Sequence, residues 1–285
     1  MTLPEQRVIR PLGALERLFY RYSEAHPVHF TLAAEFAFEI PAEQLRHALA
    51  KVAQRHALLQ VRVGEASQDG PIFLHDSQVV GLPLSVSDAD PREWPFVAAE
   101  ELAAPFDRQT APLARAILLR RRRHSVVLLT LDHTVADGIS AALVLRDLIL
   151  ALNGIGLNTL PPPPSQESML ARHCAAVDSG YDDAAESPAQ DARMNRVSSV
   201  RPFDGVTPHV ATASLTENAT AQLVSRARAQ RSTVHSALVS ATARVRRQIS
   251  RRLHTCSVAD QLPVLDRRAR ELRRLLHVDA DRGGC

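Results

Sequence analysis

The residues best suited to chemistry are His133, Asp137 and Gly138, which stand close together in one short segment. Just before them, residues 126–131 form an almost unbroken β-forming run, as expected of a strand covered on both faces. We therefore predict that His133 follows directly on the end of a buried strand, where a rigid backbone can project one reactive side chain. An imidazole group titrates near neutrality, so this residue suits the work of a general base.

A helix is predicted directly after this segment, because apolar residues recur at helical spacing from Ile139 to Leu152. Asp137 stands where that helix should begin, so it can cap the helix, shape the site, or do both. Gly138 is interpreted as permitting a tight turn or the close approach of a substrate.

Two other chemistries fit these residues poorly. A metal site at His133 and Asp137 would need at least one more ligand, and none stands at a recognisable spacing. Ser140 does not lie in the Gly-x-Ser-x-Gly turn of a serine hydrolase. The three cysteines are far apart and have neither metal nor redox spacing.

The segment from His133 to Gly138, His-Thr-Val-Ala-Asp-Gly, resembles the His-x-x-x-Asp-Gly motif of the chloramphenicol-acetyltransferase-like superfamily. That superfamily includes peptide condensation domains and polyketide-associated acyltransferases. Two more segments resemble its landmarks: Arg55-His56 at a helix end, and a second set comprising Pro105, Phe106, Asp107, Pro112, Leu113 and Arg115. The resemblance covers residues 11–246 and is strongest up to residue 152.

The resemblance implies an α/β (α+β) sandwich whose first half is complete and whose second half is partial. It implies that His133 deprotonates an alcohol or amine, which attacks an acyl thioester carried by CoA or by an acyl carrier protein. Asp137 would shape the site, usually through an arginine of the second half, for which no matching segment is found here. No cofactor is implied. Many relatives have a first histidine where this chain has Asp132, and its absence favours an alcohol acceptor over peptide condensation.

Four regions are predicted along the chain. Residues 1–160 form the acyltransferase half, residues 161–208 a crossover linker rich in Pro, Ser and Asp, residues 209–249 the start of the second half, and residues 250–285 an arginine-rich tail without assignment. Strands are predicted at 30–40, where apolar residues alternate with others, and at 209–215. Helices are predicted from Pro11 and from Thr216, and a further helix is predicted from an apolar stripe at Leu45, Ala48, Leu49 and Val52. The resemblance implies that the helix from Pro11 lies beside the substrate channel. Because the resemblance ends near residue 246, the chain is expected to be truncated or divergent there. A catalytically impaired relic, or a partner-binding half-domain, therefore stays open beside an active enzyme.

The overall composition excludes several classes of partner. A formal net charge of +3 gives no nucleic-acid footprint. The most apolar segment, residues 141–157, is interrupted by Arg146 and Asp147, so no transmembrane segment is predicted. Without a hydrophobic signal core at its start, the chain is expected in the cytoplasm. Apolar faces intended for a missing half would favour a homo-oligomer.

Overall fold

Seven strands and seven α-helices lie within residues 7–66, 70–174 and 204–253, which are the residues described by the computed structural model. The strands are β1 (Arg7–Pro11), β2 (Phe30–Phe36), β3 (Val61–Ala66), β4 (Gly70–His75), β5 (Leu84–Ser87), β6 (Ala114–Arg121) and β7 (His124–Leu131). The helices are α1 (Ala14–Tyr22), α2 (Ala42–Arg55), α3 (Trp94–Ala103), α4 (Gly138–Leu152), α5 (Gln166–Cys174), α6 (Glu217–Ala229) and α7 (Val234–Leu253). They belong to two compact units, Met1–Val210 and Ala211–Cys285.

The larger sheet of the first unit has the strand order β2-β7-β6-β5. Strand β7 pairs antiparallel with β2 on one side and with β6 on the other, while β5 runs parallel to β6. Every residue of β7 after His124 is buried. The prediction of a strand covered on both faces is therefore confirmed.

Side chains of β7 alternate between two hydrophobic layers, because successive residues of a strand point to opposite faces. Val127 and Leu129 pack with α2 and α4 in the larger layer. Val126 and Leu128 face α3 in the smaller layer. The predicted apolar stripe of α2 is confirmed, since its members are fully buried in the larger layer: Leu45, Ala48, Leu49 and Val52.

The smaller sheet has the order β1-β4-β3 and is antiparallel throughout. Its core contains Val61, Val63 and Phe73, and it is completed by Val135, which lies just after His133 in the chain. This sheet therefore packs against the segment that carries the candidate base. Strand β1 is an element that the sequence did not predict.

Two sequence predictions about strands need correction. The alternating pattern at 30–40 forms a strand only as far as Phe36, and Phe38 beyond it is 56% exposed. The strand predicted at 209–215 is wrong, because these residues have no regular structure and most are exposed. In the part of the second unit that the structure describes, residues 211–253, there is no strand with which they could pair.

The predicted linker is extended only at its start, because α5 forms within it. The Pro163 carbonyl accepts a hydrogen bond from the Arg10 Nε at 2.8 Å, and the Glu167 carboxylate accepts one from the Ala14 backbone N–H at 2.6 Å. This part of the linker is thus fastened to the beginning of α1. Residues 175–203 and the tail from residue 254 lie outside the described residues.

In the second unit, the predicted helix start at Thr216 is confirmed. The Thr216 hydroxyl accepts a hydrogen bond from the Ala219 backbone N–H at 3.2 Å and caps α6. Among the helices that the structure describes, none is both long enough and apolar enough to cross a membrane.

Candidate active site at the end of the central strand

His133 lies in a tight turn between the end of β7 and the start of α4, as the sequence predicts. Hydrogen bonds of Asp132 fix this turn. Its backbone N–H donates to the Leu113 carbonyl at 3.0 Å, and its carbonyl accepts from the Val135 N–H at 3.1 Å. Its side-chain Oδ1 accepts from the Thr134 N–H at 2.8 Å. His133 is thus held on a rigid backbone, at a strand end that cannot shift without breaking these bonds.

Two aromatic rings enclose the imidazole of His133. The ring of Phe19, from α1, stacks on it with a centroid distance of 4.2 Å and an interplanar angle of 13°. The ring of Phe30 lies 5.0 Å away at 56°. Phe30 reaches this place because it is the first residue of β2 and pairs with Leu131 at the end of β7. The predicted position of the opening helix beside the site agrees with the contact made by Phe19.

The two ring nitrogens of His133 have different surroundings. Nδ1 is buried and has no hydrogen-bond partner in the described part of the chain. Nε2 does not share this burial, and no described residue forms a hydrogen bond with it. Nε2 is therefore the nitrogen that a substrate can reach, and it can act as a base when Nδ1 carries the ring proton.

Asp137 is the N-cap of α4, as one of its two predicted roles requires. Its Oδ1 accepts a hydrogen bond from the Ser140 N–H at 2.7 Å and a second from the Ser140 hydroxyl. These two bonds lower the pKa of the Asp137 carboxyl. Within the described ranges, no arginine forms an ion pair with Asp137, so the arginine partner implied by the superfamily is not found there.

Gly138 does not have the left-handed backbone conformation that would demand glycine. A Cβ atom built at this position would meet nothing within 4 Å. The tight-turn role predicted for Gly138 is therefore not required by its conformation. The open space beside it leaves the close approach of a substrate as the remaining prediction.

A charged network next to His133 was not predicted from the sequence. The Asp132 carboxylate lies 3.9 Å from the Arg108 guanidinium. That guanidinium also lies over the Tyr20 ring, 5.3 Å from its centroid, and the Tyr20 hydroxyl donates to Glu65 at 3.0 Å. Burial, with this hydrogen bond as the second cause, raises the pKa of Tyr20. The only available signal was the position of Arg108 directly after the Pro105-Phe106-Asp107 landmark.

The other landmarks hold the fold together away from the turn. Asp147, which is fully buried in α4, accepts hydrogen bonds from the Arg55 Nε at 2.6 Å and from His56 at 2.9 Å. Arg115 pairs with Glu101 at 2.6 Å. These contacts give the Arg55-His56 segment a structural role.

Burial of Asp147 would by itself raise the pKa of its carboxyl. Hydrogen bonds from Arg146, Arg55 and His56 outweigh that effect, and the pKa is lowered. No group of three or more potential metal ligands occurs among the residues that the structure describes.

Comparisons with known proteins agree with this architecture. The family model for the condensation domain matches residues 15–170, which is more than half of the chain. Phosphinothricin tripeptide synthetase PhsC of Streptomyces viridochromogenes is 36% identical over 138 residues, covering 45% of this chain and 12% of that protein. Tyrocidine synthase 3 of Brevibacillus parabrevis is 33% identical over 124 residues, covering 43% of this chain and 2% of that protein. The chain thus spans only a small part of the length of these relatives.

Solved structures show the same fold at low sequence identity. Polyketide synthase associated protein 5 from Mycobacterium tuberculosis matches with a TM-score of 0.55 at 18% identity, covering 85% of this chain and 56% of that chain. The first condensation domain of the calcium-dependent antibiotic synthetase, solved with a substrate analogue, matches with a TM-score of 0.50 at 16% identity and covers 62% of this chain and 47% of that chain. The predicted α/β sandwich of the chloramphenicol-acetyltransferase-like type is therefore confirmed.

Proposed function

The chain belongs to the condensation-domain family, and we propose that it transfers an acyl group from a thioester to an alcohol or amine, with His133 as the general base. The observation that carries the proposal is the accessible Nε2 of an imidazole fixed at the end of β7. The donor would be an acyl group on CoA or on an acyl carrier protein. Such donors are found in the cytoplasm, which is the proposed location.

In the proposed reaction, one proton moves from the acceptor to His133 and then from His133 to the departing thiolate. Nε2 of His133 takes the proton from the hydroxyl or amine as the acceptor attacks the thioester carbonyl, and a tetrahedral intermediate forms. When the intermediate collapses, the carbon–sulfur bond breaks, and the imidazolium returns the proton to the departing thiolate. A positioned base contributes about 10²–10⁴-fold to such a step. The thioester is already activated, so the proposal includes no cofactor.

Asp137 and Gly138 have supporting roles in this proposal. Asp137 fixes the first turn of α4 through Ser140, and thereby the backbone that follows His133. Gly138 leaves open space at the start of α4, where the acyl group or its carrier arm can approach closely. The first sequence relative named above is a tripeptide synthetase, so it lends no support to the expected preference for an alcohol over an amine. We therefore propose both acceptors.

A second candidate is a catalytically impaired domain that binds its partner without turnover. The observation in its favour is that Asp137 has no arginine partner among the described residues. Such a domain would bind an acyl carrier protein but would transfer no acyl group. It could also complete its site with a second copy, in which case measurement of the size in solution would show a homo-oligomer.

The experiment is an acyl-transfer assay on the full chain. Short and long acyl groups on CoA and on a carrier protein are offered with hydroxyl and amine acceptors, and the esters and amides formed are measured. His133→Ala should lower turnover by about 10²-fold or more. The control is His47→Ala, because His47 lies exposed on α2 and should not affect the rate. Binding of the carrier protein without transfer by the wild-type chain would favour the second candidate.

A further inference from the structure

We propose that Arg108 is a positioning residue, which holds α1 against the His133 turn and so fixes the plane of the imidazole. The inference rests on the proposed function, since it concerns the orientation of the proposed base. It also makes a statement about the geometry of His133 that can be tested without any turnover.

Arg108 and Asp132 form an ion pair beside His133. Their closest charged atoms are 3.9 Å apart, and their side chains are only 14% and 2% exposed. An ion pair shielded from water to this degree is screened much less than one on the surface. Asp132 also accepts the hydrogen bond from the Thr134 N–H. The charge of Arg108 therefore acts on the residue that shapes the turn on both sides of His133.

Arg108 also contacts α1. The guanidinium lies over the ring of Tyr20, and its Nη1 donates to the Ser23 carbonyl at 3.3 Å. Ser23 is the C-cap of α1, where carbonyl groups carry partial negative charge and attract a cation. The Arg108 carbonyl in turn accepts from the Val63 N–H at 2.8 Å. The arginine is thus fixed to β3 by its backbone and to α1 by its side chain.

These contacts connect the residues that surround the proposed base. Asp132 precedes His133 in the chain, and Tyr20 follows Phe19. Arg108 contacts Asp132 and Tyr20, while His133 and Phe19 stack on each other at 4.2 Å. The Arg108 guanidinium therefore contacts Asp132, which is next to His133 in the sequence, and Tyr20, which is next to Phe19. Without it, the strand end and the helix lose their charged connection.

Asp132 explains why an arginine suits this place. A neutral side chain at this position could not form an ion pair with Arg108. The Asp132 carboxylate can do so, at the observed separation of 3.9 Å.

A matched control pair lies elsewhere in the same unit. Arg55 and Asp147 join α2 to α4 at 2.6 Å, with side chains 17% and 1% exposed. This pair has the same charges and nearly the same burial, but Asp147 lies in the second half of α4, away from His133. A role of Arg108 in general stability alone would make Arg108→Met and Arg55→Met behave alike.

The test is the NMR spectrum of the full chain labelled with ¹³C-histidine, in which His133→Ala identifies the His133 signals. Protons above an aromatic face are shielded, so the stacked Phe19 ring shifts the His133 ring signals upfield. Phe19→Leu gives the position of the unstacked imidazole. We expect Arg108→Met to move the His133 signals most of the way to that position, and Arg55→Met to leave them unchanged. His133 signals in Arg108→Met that coincide with wild type would overturn the proposal.

Asp132→Asn is the second variant, for use if Arg108→Met fails to fold. The amide keeps an oxygen for the Thr134 N–H but removes the charge that Arg108 faces. The same movement of the His133 signals is expected, and unmoved signals would again overturn the proposal.

The kinetic arm gives a separate readout. Misplacement of a catalytic group by about 1 Å can cost about 10²-fold in rate. Arg108→Met should therefore lower kcat by up to about 10²-fold with little change in KM, while Arg108→Lys should restore part of the rate. If His133→Ala leaves turnover intact, the proposed function fails, but the NMR comparison still decides the role of Arg108.

Discussion

Replacement of Asp137 by alanine and by asparagine separates its cap from its charge. The carboxylate accepts two hydrogen bonds from Ser140, from the backbone N–H at 2.7 Å and from the hydroxyl. The backbone N–H of Asp137 donates back to the Ser140 Oγ at 3.4 Å. Alanine removes the acceptor and the charge together, whereas asparagine keeps an acceptor oxygen in place.

The expected losses follow from these contacts. Loss of a side-chain cap costs about 0.5–2 kcal/mol, and loss of a negative charge at a helix N-terminus costs about 0.3–1 kcal/mol. Asp137 is exposed, so the charge contribution should lie toward the lower end. We therefore expect Asp137→Ala to reduce the free energy of unfolding by about 1–2 kcal/mol, and Asp137→Asn by less than about 0.5 kcal/mol.

The assay is urea unfolding of the full chain, followed by the fluorescence of its single tryptophan. That residue, Trp94, begins α3 in the first unit and so reports on the unit that contains Asp137. Asp88→Ala is the control, because Asp88 is an exposed aspartate outside any helix or strand. Equal losses for the asparagine and alanine variants would refute the cap.

Three further predictions concern the stability of the fold around the site. Asp147→Ala should lower the free energy of unfolding by about 3 kcal/mol in urea titrations, since it leaves half-buried cations uncompensated; a loss below about 1 kcal/mol would show that the pair contributes little. Burial lowers the pKa of His29 and of His56 in the folded chain. As the pH falls below about 6.5, these histidines therefore take up protons in the unfolded chain before they do so in the folded chain. The free energy of unfolding should decrease in this pH range. Urea midpoints that stay constant on acidification through this range would contradict that prediction. Leu129→Ala, in the fully buried centre of β7, should cost about 2–5 kcal/mol, whereas Ile139→Ala, at a position 76% exposed, should stay within about 0.5 kcal/mol.

The parts of the fold that the sequence predicts are those with a strong local pattern. Strand β7 is a continuous apolar run, and α2 has an apolar stripe at helical spacing, so each can be recognised from its own residues. The turn at His133 follows, because it lies between a predicted strand and a predicted helix. Asp137 could be interpreted as a cap for the same reason, since the cap bonds only to its own first helical turn.

The parts that the sequence does not predict depend on contacts between distant residues. Strand β1 exists because it pairs with β4, and its five residues have no pattern of their own. The predicted strand at 209–215 has the right residue types but no partner strand among residues 211–253. A β-forming segment without a partner has nowhere to place its backbone hydrogen bonds except in water.

The charged network beside His133 escaped prediction for a similar reason. Arg108 stands in a loop, Tyr20 in α1 and Asp132 at the end of β7, and no periodicity connects them. Only the packing of the small sheet against the turn brings the three together. The candidate base could therefore be found from its motif, while the residues that orient it required the structure.

The most direct test of the central claim compares two acceptors in the wild-type chain and in His133→Ala. An alcohol must lose its proton as it attacks, so it needs a base, whereas hydroxylamine is nucleophilic without one. We expect His133→Ala to slow acyl transfer to the alcohol by about 10²-fold or more and to leave transfer to hydroxylamine nearly unchanged. Equal slowing of both acceptors would mean that His133 serves in binding or folding, and an alcohol rate equal to that of the wild type would show that His133 is not the base.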